Sequence, residues 1–97
     1  MKAIRYHLTD GSWVLEEVQE GHPLDPAGDR TAGELAEHLE YHLLANQAWT
    51  RVITDVGGIA RVIMTRRIVQ AEILFGTMAE DAKIRAETQP PTPWTYH

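Results

Sequence analysis

Apolar and polar residues alternate with period two along Ala3-Ile4-Arg5-Tyr6-His7-Leu8, which turns Ile4, Tyr6 and Leu8 to one face of an extended strand. Asp10-Gly11 follows. It is a strong hairpin signal, because glycine accepts the positive φ that tight turns demand. Ser12 to Val18 then reads as the returning strand. Two prolines and two glycines between Gln19 and Arg30 predict a loop crossing the surface.

The period changes at Thr31. Thr31-Ala32-Gly33-Glu34 is a capping box, with a hydroxyl at the helix start and a carboxylate three residues later that reaches back to the cap amide. Ala32, Leu35, Ala36, Leu39 and Leu43 recur at intervals of three and four, so a helix is predicted from about Ala32 to Asn46. Beyond it the chain is rich in β-branched residues. Trp49–Thr54, Ile59–Met64 and Ile68–Leu74 read as strands, separated by the turn Asp55-Val56-Gly57-Gly58 and the polar break Thr65-Arg66-Arg67. One continuous strand, or a helix, across 59–75 is the competing assignment. Thr77 to about Thr88 predicts a short, marginal helix. Residues 89–97 carry three prolines within four positions, which predicts an extended or disordered tail.

The fold class expected is α+β. It is a small two-layer sandwich of order β-β-α-β-β(-β), with an antiparallel or mixed sheet and one main helix on one face. Residues 1–76 form the single domain, 77–88 the C-terminal helix and 89–97 the Pro-rich tail.

Composition narrows the function classes. Apolar residues make up 43% of the 97, charged residues 24%, and there is no cysteine. Disulfides and thiolate–zinc sites are therefore excluded as supports for a small core. The net charge of −5 is uneven, with nine acidic and three basic residues in 1–48. An acidic surface repels phosphate backbones, so nucleic acid is disfavoured as a partner. No apolar run approaches the roughly 18–20 residues of a membrane span, and the N-terminus lacks the apolar core of a signal peptide, so a cytoplasmic location is expected.

Four groups of residues could carry chemistry or contacts. Glu34, His38 and His42 are spaced by four and share one helical stripe, which could hold a metal, completed by His7 or His22. The plainer reading is a polar flank, since Glu34 serves the capping box and His38-Leu39-Glu40-Tyr41-His42 lacks the zinc-protease order. Arg61, Arg66 and Arg67, with Arg51, could gather an anion. The plainer reading pairs them with carboxylates. Gly57-Gly58 leads into a strand rather than a helix, so it predicts a hairpin and not a phosphate loop. Trp49, Val52, Val62 and Met64 on the later strands, with Trp94 and Tyr96 in the tail, are the candidate interface.

No nucleophile elbow or nucleotide fingerprint is present, and no cofactor is predicted. The expectation is a non-enzymatic binding or assembly module that acts as a homo-oligomer, with a protein partner for the tail as a further role. The alternative is a small metal-dependent or acid–base enzyme built on Glu34, His38 and His42.

Overall fold

A computed structural model of the chain describes residues 1–45 and 50–88. Trp49, Trp94, Tyr96 and the whole tail 89–97 lie outside the described residues. The elements are β1 (Lys2–Leu8), β2 (Trp13–Glu17), α1 (Ala32–Ala45), β3 (Thr50–Thr54), β4 (Ala60–Met64), β5 (Ile68–Phe75) and α2 (Thr77–Thr88), with one 3-10 turn at Thr65–Arg67. The fold is α+β, and every strand pairing is antiparallel.

Local chemistry sets the boundaries. Gly11 takes φ +87° between β1 and β2, and the Asp10 carboxylate accepts the Ser12 amide at 2.9 Å. At the start of α1 the Glu34 amide donates to Thr31 Oγ1 at 3.2 Å, and the Thr31 amide donates back to Glu34 Oε1 at 3.3 Å. Between β3 and β4 the Asp55 carboxylate accepts the amides of Gly57 and Ile59, both at 3.0 Å, while Gly58 adopts φ +83°. That bonding closes the hairpin one residue later than its apolar pattern implies. Ile59 is left 56% exposed in the turn, and β4 begins at Ala60.

The strands separate into two sheets. One has the order β2-β1-β5, so the first strand is central and the last lies at an edge. The other is the β3–β4 hairpin, which meets the edge of β2 through a single bridge, Glu16 to Asp55, and one amide bond from Val56 to the Leu15 carbonyl.

Each face of the three-stranded sheet has its own helix. On one side Ile4 and Tyr6 pack with Leu35 and Leu39 of α1, and Ile53 and Ile63 join them from the underside of the hairpin. On the other side Ala3, Leu15 and Leu74 pack against Ala79 and Ala82 of α2. The face that the main helix leaves open is thus covered within the chain. Ala32 and Ala36, at the rim of the α1 stripe, stay exposed. Among the described residues no helix is long and apolar enough to cross a membrane.

The two faces of α1 differ in what they stabilise. Leu39 is 4% exposed and Tyr41 69%. Leu39→Ala is expected to cost about 2–5 kcal/mol by emptying core volume. Tyr41→Ala should cost under about 0.5 kcal/mol. Urea midpoints of the two variants check this, and a reversed ranking would mean that the wrong face of α1 meets the sheet.

Candidate functional site

Period two carries Val14, Glu16 and Val18 to the inward face of β2, so a carboxylate enters the core. Glu16 is 6% exposed and Tyr6 is fully enclosed. A buried carboxylate needs partners on each oxygen. Tyr6 Oη donates to Glu16 Oε1 at 2.7 Å. Arg51, from β3, donates through Nε to Tyr6 Oη at 3.0 Å, and its second nitrogen lies 3.5 Å from Glu16 Oε1. His22, from the loop, meets Glu16 Oε2 at 3.0 Å. The His22 Nδ1 atom accepts the Leu24 amide at 3.1 Å, which assigns the ring proton to Nε2 and makes Nε2 the donor to Glu16. Burial, reinforced by the Glu16 carboxylate, pushes the Tyr6 phenol well above its usual range. It therefore remains a protonated donor at neutral pH.

The loop is fastened a second time. Lys2 Nζ donates to Asp25 Oδ2 at 2.8 Å and to the carbonyls of Gly28 and Arg30, both at 3.0 Å. The Arg30 amide donates to Asp25 Oδ1 at 3.1 Å. A third polar group lies on the opposite sheet face. Glu72 accepts from Arg5 Nε at 2.9 Å and pairs with His7 Nε2, while the Arg5 guanidinium lies 5.3 Å from the centre of the half-buried Trp13 ring.

The residues of the alternative metal reading on α1 are placed apart from these groups. Glu34 is held by Thr31 in the cap, and His38 is exposed. The two histidines that could complete a metal site, His7 and His22, pair with Glu72 and Glu16 instead. Among the described residues no group of three His, Asp or Glu side chains could hold a metal ion.

The four arginines also divide. Arg51 serves Glu16 and Tyr6, and Arg61 Nε pairs with Asp55 Oδ2 at 2.5 Å. Arg66 and Arg67 stand exposed on the 3-10 turn, with Arg66 Nη2 3.9 Å from the sulfur of Met64.

The candidate interface residues that are described do share one surface. The register opposes Thr50 to Met64, Val52 to Val62 and Thr54 to Ala60 on the outer face of the hairpin. All six are exposed, Val52 at 66% and Val62 at 68%. The inner face holds Ile53 and Ile63, with Arg51 and Arg61 beside them. A separate groove of about 360 Å³ runs between α1 and β5, lined by Ala36, Leu39, Glu40, Leu43, Ala71 and Ile73. Ala36, Leu39 and Leu43 belong to the apolar stripe of α1, and β5 supplies the other wall through Ala71 and Ile73.

Comparison with family models, curated proteins and solved structures finds no match for the chain.

Two predictions follow from the polar groups. Glu16→Ala leaves Arg51 facing the core without its carboxylate and is expected to cost about 3–5 kcal/mol. Tyr6→Phe removes one hydroxyl and should cost about 1–3 kcal/mol. Chemical denaturation ranks the pair.

The second concerns acid. Asp25 is held below its ordinary 3.8, chiefly by the Lys2 hydrogen bond, and Glu72 below 4.5 by His7 and then Arg5. Burial raises Asp55, but the Arg61 bond and the amides of Ile59 and Gly57 outweigh it and leave it lowered. Each group is depressed in the fold, so each contributes stability above its unfolded value. That contribution is lost as pH falls through the folded value. The urea midpoint should hold nearly level from pH 8 to about 5 and fall below about pH 4. Asp25→Asn should make the fall shallower.

Proposed function

We propose that this chain is a small non-enzymatic binding and assembly module that works as a homo-oligomer. The observation that supports this best is the outer face of the β3–β4 hairpin, where Val52 and Val62 oppose each other in the open with Met64 alongside. A lone two-stranded hairpin is marginal in water. This one rests on the core with one face only, through Ile53 and Ile63. Its other face is uncharged and presents Val52, Val62 and Met64, and among the described residues nothing packs on it, which is the usual mark of an interaction surface.

A second copy is the occupant that fits. The six outer-face residues, Thr50, Val52, Thr54, Ala60, Val62 and Met64, carry no charge. Two such faces related by a two-fold axis can meet without burying an ion. The arginines and the aspartate of the hairpin are turned inward or toward its end, and Arg66 stands near Met64. The sequence 89–97, with Trp94 and Tyr96 among prolines, supports a contribution of the tail to that contact or to a protein partner.

Light scattering at micromolar concentration should give a mass above that of one chain. The double substitution Val52→Thr and Val62→Thr keeps β-branched residues on an exposed strand and so should leave the fold intact. It should lower the mass. A single-chain mass for the unaltered protein throughout the micromolar range would end this reading.

A further inference from the structure

We propose a second, independent contact with another copy of this chain, made by antiparallel pairing of β5 with β5 across a two-fold axis, with the groove beside α1 closed by the partner's matching surface. It goes beyond the hairpin contact, because the two surfaces lie at opposite ends of the strand order. β5 is the outermost strand of β2-β1-β5, and the hairpin meets the other edge, at β2.

β5 is the longest strand, with eight residues, and only β1 pairs with it among the described residues. Natural sheets protect such edges with lysine, proline, short strands or a covering element. Ile68-Val69-Gln70-Ala71-Glu72-Ile73-Leu74-Phe75 contains no lysine or proline and is not short, and its one irregularity is the register shift at Val69. Its one charge, Glu72, is drawn back onto Arg5 and His7 of β1. Val69 stands 66% exposed where the β1 register shifts. The opposite edge of the sheet is managed differently, since the Asp55 bridge and the Val56 amide occupy part of β2.

The sequence of β5 also selects a register. A two-fold axis normal to the sheet keeps the α1 helices of both copies on one side and pairs residues of the same face. Centring the axis on Glu72 would set two carboxylates against each other, which is unfavourable. Centring it on Ala71 sets Ala71 against Ala71, Val69 against Ile73, and the Gln70 amide against the Glu72 carboxylate. The small alanine at the axis lets the strands close. On the α1 side Ala71 and Ile73 already line the open groove with Ala36 and Leu43. The same four residues of the partner would arrive beside them, apolar against apolar, with the exposed Glu40 of each copy also at the groove. Together with the hairpin contact, this seam produces an assembly larger than a dimer.

The absence of cysteine makes the test clean. Directly opposed residues of an antiparallel pair bring their Cβ atoms to about 4.5–5.5 Å, within reach of a disulfide after small adjustment. Ala71→Cys in the full chain should therefore form a disulfide-linked dimer under mild oxidation. Glu37→Cys, on the exposed side of α1, reports random collision and should link about tenfold less. A mixture of Gln70→Cys and Glu72→Cys chains should link as heterodimers in preference to either homodimer, which tests the register and does not depend on how Ala71→Cys folds. Adding Val69→Lys, a change at an exposed position, to Ala71→Cys should reduce linking about tenfold.

Linking of Ala71→Cys no greater than that of Glu37→Cys, with no heterodimer from the mixture, would overturn the seam. If the unaltered chain then still showed a multiple mass that the Val52→Thr, Val62→Thr change abolished, the hairpin reading would stand alone. Linking at Ala71 with a mass indifferent to the hairpin substitutions would have the opposite meaning.

Discussion

A carboxylate inside a small core must find donors, and the donors that Glu16 finds come from three separate stretches of chain. Tyr6 comes from the central strand, His22 from the loop and Arg51 from the hairpin. Two of these, the loop and the hairpin, have little backbone bonding to the sheet. The loop has no sheet partner beyond its own turn, and the hairpin touches β2 at one bridge. Burying Glu16 therefore does more than satisfy a charge. Its donors have to arrive together, and once they do they set the position of the hairpin relative to the sheet. A polar cluster with every member satisfied rewards a single arrangement, because any looser one leaves a charge without a partner.

The helices divide the remaining apolar surface unequally. Leucines of α1 reach deep into the side that holds Ile4 and Tyr6, whereas α2 approaches its face through alanines, so helix and sheet lie close with little side chain between them. The larger apolar residues of α2, Met78 and Ile84, are exposed at 65% and 58%. Among the described residues, two uncharged or nearly uncharged tracts then stay open, the outer side of β3–β4 and the edge of β5.

What could be read from the sequence was local. The Asp10-Gly11 turn, the Thr31–Glu34 box and the Asp55–Gly58 turn each contain their own hydrogen-bonding logic within four or five residues, and each marks its element. The strand order was not readable, because β1 pairs with β5 through partners such as Arg5 and Glu72 that are 67 residues apart in sequence. The facing of the hairpin was ambiguous as well. Val52 and Ile53 are both apolar, so alternation cannot choose between them, and the choice that put Arg51 and Arg61 inward depends on Glu16 and Asp55. The polar network itself left one trace, a glutamate in phase with Val14 and Val18. The coverage by α2 left none, since the residues that do the covering are two alanines.

The central position of β1 has a consequence for how the chain is made. During synthesis β1 and β2 emerge early and can close their hairpin at once, but the second edge of β1 has no partner until the chain has reached Phe75. Until then Ile4 and Tyr6 belong to a two-stranded ribbon that is half paired and open to any strand nearby, including the same ribbon on a neighbouring nascent chain. Closing the sheet also means bringing together residues such as Arg5 and Glu72, 67 positions apart, a longer loop closure than either hairpin requires. The strand that ends that exposure is β5, and as it covers one edge it presents the next.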